Sequence, residues 1–397
     1  MSEWKTYTLG KDVVTKLGDG LHGTPIYDDN GEYYFINGSN LVDGKIVINS
    51  NTKKVTEEEF VKYKKDLSDK TILLGINGTI GNVALYNNEM CILGKSAAYL
   101  NINDDFDKHF VKYVLTNDHF QNYIKNNASG TTIKNVGLGL LREYQFSAPE
   151  AKVQQQEIAQ ILTSLDDKIE LNLQMNQTLE AMAQALFKEW FVNFNFPNFD
   201  GELENNLPKG WKNEPMDENI EFLNGLALQK FPPLNEDEFL PVIKIRELKQ
   251  GFTNASDKAS TELPEKYVIY DGDILFSWSG SLEVVLWCEG KGALNQHLFK
   301  VSSTVYPKWF YFFWVREYLP LYKSIAEGKA TTMGHIQRRH LTDTIINVPN
   351  KELMILADSI LSPILDKIQE NKIQIQSLTQ TRDTLLPKLM SGKLELV

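Results

Sequence analysis

QEIAQILTSLDDKIELNLQMNQTLEAMAQALFKEWF, Gln156–Phe191, is the stretch whose reading decides the fold. Apolar residues stand at Ile158, Leu162, Leu165, Ile169, Leu179, Ala183, Leu186 and Trp190. Asn172 and Asn176 fill the two middle places. Steps of four and three alternate, averaging about 3.5 residues, the period of a helix that packs lengthwise on another helix. Neither Gly nor Pro interrupts the run. At ~1.5 Å per residue such a helix is about 50 Å long, too long to stand without a partner.

The partner lies at the other end of the chain. Within Leu353–Met390, a matching seam runs through Leu361, Ile364, Ile368, Asn371, Ile375, Leu378, Leu385 and Leu389, with Arg382 its one charged place. LDDKIELN at Leu165–Asn172 aligns with LDKIQEN at Leu365–Asn371, one residue shorter. Asn172 and Asn371 therefore hold equivalent seam places, where a buried Asn weakens the seam but fixes its register. The alternative is that each Asn faces water.

The likeness continues upstream. Thr131-Thr132-Ile133 returns as Thr331-Thr332-Met333, 200 positions on, and Leu141 and Pro149 return as Leu341 and Pro349. Ile72-Leu73 matches Ile274-Leu275, and Trp4-Lys5 matches Trp211-Lys212. The chain thus reads as two copies of one unit, a mixed α/β domain followed by a long helix. So long a period means tandem domain duplication rather than a solenoid.

The 397 residues, 42% of them hydrophobic, suffice for two or three domains with full cores. No apolar run is long enough to span a membrane. The start, MSEWKTYTLG, lacks the basic-then-apolar pattern of a signal peptide. Cys91 and Cys288 fall in different copies and read as core residues of a reducing, cytoplasmic protein. The net charge of -11 argues against nucleic acid only as a bulk property, because binding depends on local patches.

Local patches exist in both copies. In the first, LGDGLHGTP at Leu17–Pro25 is too glycine-rich for a regular element and reads as a tight polar loop. Thr71–Tyr86 reads as two strands about an Asn77-Gly78 turn, and 107–125 as one helix. Between Asp118 and Glu143 there is no acidic residue, while Lys125, Lys134 and Arg142 occur among Ser129, Thr131, Thr132 and Asn135. Such a loop suits phosphate and base-edge contact, or simple helix capping. In the second copy, Leu240–Leu248 reads as a strand with Lys244 and Arg246 on one face. SWSGS at Ser277–Ser281 is a turn, and Tyr306–Tyr322 a helix whose run WFYFFW is core. Gly328–Leu341 carries Lys329, His335, Arg338, Arg339 and His340 with no acid, in the place of the first copy's basic loop.

No P-loop, nucleotide-binding glycine fingerprint, CxxC, HExxH or Asn-Pro-Pro-aromatic motif is present. Asp273 with Glu289-Gly290-Lys291 has the order of a metal-dependent nuclease site. The spacing is common by chance, and the first copy offers only Glu89.

Taken together, several motifs resemble the specificity subunits of type I restriction–modification systems over essentially the whole chain. They are LGDGLHGTP (Leu17–Pro25), QQQEIAQILTSLDDKIELN (Gln154–Asn172), LPKGW (Leu207–Trp211) and LLPKLMSGKL (Leu385–Leu394), in this order and spacing. The departure is FLNGLALQK, Phe222–Lys230, which stands where the first copy's glycine loop would have a twin. The resemblance implies an α+β chain with two mixed α/β target-recognition domains separated by two long antiparallel coiled-coil helices, with pseudo-twofold duplication. It places the first recognition domain at 1–150 and the central spacer helix at 151–195. The linker and second domain follow at 196–350, and the C-terminal spacer helix at 351–397.

By the same resemblance, each domain reads one half of a bipartite double-stranded DNA target. The helices set the spacer and dock two modification (methyltransferase) subunits through Leu165, Ile169, Asn172, Leu179, Ile368, Asn371 and Leu378. S-adenosylmethionine belongs to those modification subunits. ATP and Mg²⁺ belong to two restriction subunits that can join them. The chain itself would hold no cofactor or metal and perform no catalysis. Expected DNA contacts are His22, Thr24, Asn77, Thr131, Thr132 and Lys134 in the first domain. In the second they are Lys244, Arg246, Ser279, Lys329, Thr331, Thr332, Arg338 and Arg339. Two readings of other classes stay open at this point: a stand-alone Mg-dependent nuclease using Asp273, Glu289 and Lys291, and a coiled-coil scaffold with no nucleic-acid role.

Overall fold

A computed structural model describes residues 3–130, 133–328 and 334–394. Thr131, Thr132, Lys329, Thr331 and Thr332 lie outside the described residues. The chain forms two units, Met1–Asp167 with Thr379–Val397, and Lys168–Leu378.

Both long helices are present. The central helix runs Lys152–Phe187 and ends in a wider turn, Lys188–Val192. The C-terminal helix runs Lys351–Met390. Each contributes one part to each unit. In the second unit, Asn172 Nδ2 donates to Gln374 Oε1 (2.8 Å), and Asn371 Nδ2 donates to Asn176 Oδ1 (2.9 Å). Rising numbers on one helix meet falling numbers on the other, so the pairing there is antiparallel. The three asparagines are buried in the seam. Asn371 meets Asn176, and Asn172 meets a glutamine one turn away. Ile368 is buried beside them, and Leu179 packs against the same core. Leu165, Ile169 and Leu378 are half-buried.

The first unit is built on an antiparallel sheet of four strands in the order Val14–Asp19, Ala97–Ile102, Thr71–Gly75, Val83–Leu85. A second, smaller sheet pairs Tyr33–Ile36 in parallel with Cys91–Leu93. The opening strand Trp4–Thr8 pairs with Gln145–Pro149. Every one of these has a partner in the second unit. Glu221–Asn224, Leu298–Ser302, Ile274–Ser277 and Val284–Leu286 form its four-stranded sheet in the same order. Leu240–Ile243 runs parallel to Gly292–Leu294, and Lys212–Pro215 pairs with Ile345–Val348.

The helix run WFYFFW is core: Trp309, Phe310 and Phe313 are fully buried, and Tyr311, Phe312 and Trp314 nearly so. They pack on Phe187 and Phe191 within the second unit's main core, which also holds Trp211. The helix itself is Lys308–Glu327, with Pro307 as its N-cap, where a missing N–H costs nothing. Both cysteines are free and buried, and burial pushes their thiols up, to about 12 at Cys91 and about 11 at Cys288.

Three local expectations are corrected. The helix over 107–125 is two helices, Lys108–Thr116 and Asp118–Asn127. Asn117 separates them, its side chain accepting the Phe120 N–H at 3.0 Å, the N-cap bond that starts a new helix. The strand expected over Leu240–Leu248 stops at Ile243, and Ile245–Gln250 is helical. Glu247 accepts the Lys244 N–H at 3.1 Å and so turns the chain into that helix. Lys244 and Arg246 therefore do not alternate on one strand face. Finally, the connection after Thr71–Gly75 is not a two-residue turn. It runs from 76 to 82, closed by the Gly75 N–H on Asn82 O at 2.7 Å.

Candidate nucleic-acid interface

The strands of each main sheet bring a set of polar loops to one end. In the first unit, Asp19 pairs with Ala98, and Ala97 with Gly75. The loops that follow Asp19, precede Ala97 and follow Gly75 thus emerge together. In the second unit, Asn224 pairs with Phe299, and Ser277 with Leu298. The same three loops follow.

The first of these loops corrects a sequence expectation. Gly20-Leu21 and Gly225-Leu226 are twins. Leu21 forms a parallel bridge with Gly94, and Leu226 forms one with Asn295. A Cβ on Gly20 would sit 2.3 Å from Leu93 O, and one on Gly225 would sit 2.3 Å from Asn295 O. Only glycine lets the two backbones approach this closely. FLNGLALQK is therefore the structural counterpart of LGDGLHGTP, with Asn224 in the place of Asp19.

The second loop is equally matched. Gly78 and Gly280 both have left-handed backbones, φ 73° and 64°. The Gly78 N–H donates to Lys134 O at 3.5 Å, and the Gly280 N–H to Gly334 O at 2.8 Å. Asn77 bridges Asn135, and Ser279 bridges His335. Lys134-Asn135 and Gly334-His335 are thereby held against the two turns.

A third match lies beyond the parallel strands. The Asn37 N–H donates to Asn40 Oδ1 at 3.0 Å, as the Lys244 N–H does to Glu247. The tips that face these caps are Lys95-Ser96 and Gln296-His297. Ser96 Oγ donates to Asn37 Oδ1 (3.0 Å) and accepts the Gly38 N–H (2.9 Å). His297 Nδ1 lies 3.0 Å from Ser279 Oγ. A cavity of about 470 Å³ opens beside the second tip, lined in part by Gln229, Lys244, Arg246, Asn295, Gln296 and His297.

The chain is similar to known proteins. The family model for the type I restriction modification DNA specificity domain matches residues 1–181. The chain is 26% identical to the specificity subunit of the type I restriction enzyme MjaIX from Methanocaldococcus jannaschii, over 97% of this chain and 92% of that protein. It is 23% identical to the HindI specificity subunit of Haemophilus influenzae, over 99% and 100%. Over nearly its whole length the chain is thus similar to type I restriction–modification DNA specificity subunits. A solved S subunit from M. genitalium shares the fold, with a TM-score of 0.62 at 17% identity, covering 100% of this chain and 97% of that one. Within its complex a specificity subunit is the non-catalytic part.

The expected contacts are placed as follows. His22 and Thr24 are exposed, with His22 Nε2 2.7 Å from Asp19 Oδ2. Asn77 is half-buried, its Nδ2 donating to Asn135 Oδ1 at 3.2 Å, and Lys134 is exposed beside it. These four gather at the loop end of the first unit. In the second, Ser279 is 3% exposed, so its hydroxyl is an internal strut rather than a tip. Lys244 pairs with Asp257. Arg246 donates to Glu247 Oε1 (2.7 Å) and Ala255 O (2.8 Å). Arg338 donates to the Phe222 carbonyl at 2.7 Å, and Arg339 is exposed on the same short helix.

Sequence reasoning missed Lys95, Ser96, Gln296 and His297, which share the loop end with these residues. The signal was there in the alignment of KSAAYL at Lys95–Leu100 with QHLFKV at Gln296–Val301. The apolar halves of both carry the strand period, and the polar halves differ.

The nuclease arrangement does not assemble. Asp273 accepts the Lys300 ammonium (2.8 Å) and the Tyr270 N–H (2.9 Å), and Lys291 lies over the Tyr270 ring. Burial pushes the Glu289 carboxyl up. Among the described residues no group of three His, Cys, Asp or Glu could hold a metal ion. Among them, too, no helix is long and apolar enough to cross a membrane.

Proposed function

We propose that each domain of this specificity subunit reads one half of a bipartite double-stranded DNA target. The observation that supports the reading most is the matched loop end. The same glycines, bridges and caps recur in both units, while the side chains they present differ. Two scaffolds of one shape with different polar tips are what two different half-sites require. The contacts proposed are His22, Thr24, Asn77, Thr131, Thr132 and Lys134 on one side. Lys244, Arg246, Lys329, Thr331, Thr332 and Arg339 are those on the other, where Ser279 and Arg338 act through their internal bonds and not by direct contact.

The paired helices serve as ruler and dock. The seam of Leu165, Ile169, Asn172, Leu179, Ile368, Asn371 and Leu378 fixes their register. Two methyltransferase subunits bind along them and supply S-adenosylmethionine chemistry, and restriction subunits bring ATP and Mg²⁺. The complex works on cytoplasmic DNA. The test is to insert one heptad into each helix, after Lys168 and at the facing turn near Leu378. Added length of about 10 Å corresponds to about three base pairs. Methylome sequencing should then show both half-sites unchanged and the spacer lengthened by about that amount. An unchanged spacer overturns the ruler.

A further inference from the structure

The first unit presents Lys95-Ser96 at its tip and the second presents Gln296-His297. The backbone around the second tip is fully engaged. The Gln296 N–H donates to Leu226 O (2.9 Å), the Trp278 N–H to His297 O (3.3 Å), and the Leu298 N–H to Asn295 O (3.0 Å). The His297 N–H donates to Asn295 Oδ1 at 3.3 Å. The side chains are braced as well. The buried Ser279 hydroxyl meets the imidazole Nδ1, and the Trp278 ring packs against the imidazole with centroids 5.8 Å apart. Trp278 is itself held by its indole N–H on Asn224 Oδ1 at 3.0 Å. Gln296 Nε2 lies 3.5 Å from His297 Nε2, and both side chains are half-buried at the mouth of the 470 Å³ cavity.

Polar side chains locked by a supporting shell on a rigid element are what selective recognition needs, because little freedom is lost on binding. The neighbouring cations have donors already committed to carboxylates. Lys244 and Arg246 are tied to Asp257 and Glu247. We propose that Gln296 and His297 are the base-reading pair of the second domain. The carboxamide supplies one donor and one acceptor, the pattern that pairs with N7 and N6 of adenine in the major groove. The imidazole Nε2 exchanges its long 3.5 Å contact with the Gln296 amide for one directed hydrogen bond to the adjoining base edge. The proposal rests on the half-site reading above and names the residues that carry it in one half.

The experiment uses the chain in its host with its partner subunits, read by methylome sequencing and by binding of the purified complex to matched and mismatched duplexes. Gln296→Ala and His297→Ala should each lower discrimination at one or two positions of a single half-site by about ten- to a hundredfold. The other half-site and the spacer should stay as in the parent. Ser279→Ala, which releases the ring without removing it, should lower discrimination less, and Ser279→Thr should restore it. Thermal melting of each variant separates misreading from misfolding. Unchanged selectivity in a folded Gln296→Ala, His297→Ala double variant overturns this assignment while leaving the half-site reading intact. A parent complex that shows no bipartite motif at all would instead overturn the half-site reading itself.

Discussion

The two recognition ends share a skeleton and differ in what they display. Asp19, Lys95-Ser96, Asn77 and Asn135 of the first unit stand where Asn224, Gln296-His297, Ser279 and His335 stand in the second. Glycine spacing, bridge partners and caps are kept. Asp19 gives way to an amide and Lys95-Ser96 to Gln296-His297, while the amides of Asn77 and Asn135 give way to a hydroxyl and an imidazole. The difference teaches that duplication here preserved the parts which bring backbones together and released the parts that face outward. Under the half-site proposal, stability and selectivity reside in different residues of the same loops.

The shared skeleton should be the most fragile element. Gly20→Ala and Gly225→Ala each force a Cβ to within 2.3 Å of a backbone oxygen. Each should cost about 2–4 kcal/mol, measured by denaturant unfolding of the purified chain. Equal costs would confirm that the two loops are twins. A neutral Gly225→Ala would break the equivalence.

Next in size is a strut reached by two routes. In the first unit, Arg142 donates to Leu17 O at 3.3 Å. In the second, Arg338 donates to Phe222 O at 2.7 Å. Leu17 and Phe222 are both on the first strand of the main sheet. Arg338→Ala should lose about 1–2 kcal/mol of stability, and Arg142→Ala, with the longer bond, less. If Arg338→Ala leaves melting unchanged and alters only the methylated sequence, Arg338 is a reader and not a strut.

The smallest effect separates the clamps that tie each domain to its helices. Asp166 takes hydrogen bonds from Lys112 (2.8 Å), Tyr113 (2.7 Å) and Arg382 (3.0 Å). Glu180 has longer contacts, 3.2 Å to Arg316 and 3.6 Å to Lys372. Burial pushes the Asp166 carboxyl up, but the Lys112 charge and these hydrogen bonds outweigh it, so it sits below the ordinary carboxylate range. A depressed folded-state value stabilises the protein above the unfolded value, about pH 4. That contribution is lost as pH falls through the folded value. Asp166→Asn should cost about 1–2 kcal/mol at neutral pH, and Glu180→Gln under about 1 kcal/mol. The Asp166→Asn deficit should shrink when unfolding is measured below about pH 3. A deficit that is constant with pH would mean the carboxylate charge is not what holds the clamp.

The large features were legible because they repeat. A seam of alternating threes and fours, and residue matches 200 apart, carried the helices and the duplication. WFYFFW read as core because a continuous aromatic run on a helix leaves no polar face. What did not read were the places where one side chain changes the course of the backbone. Asn117 caps a second helix inside an apparent single one, and Glu247 reaches back to end a strand after Ile243. The tips were missed for another reason. Lys95-Ser96 and Gln296-His297 share no chemistry, so only the apolar residues that follow each pair carried the repeat. Ser279 read as a surface hydroxyl, and nothing local to SWSGS announces that a histidine from Gln296-His297 fills the space beside it.

The central claim is that two equivalent readers, each with its own tip, address two halves of one target. It is tested most directly by replacing residues 211–349 with residues 4–149 of the same chain and sequencing the host methylome. The account predicts that the first domain's half-site appears on both sides as an inverted repeat, with the original spacer. A motif that keeps the second half-site, or one unrelated to either half, would contradict it.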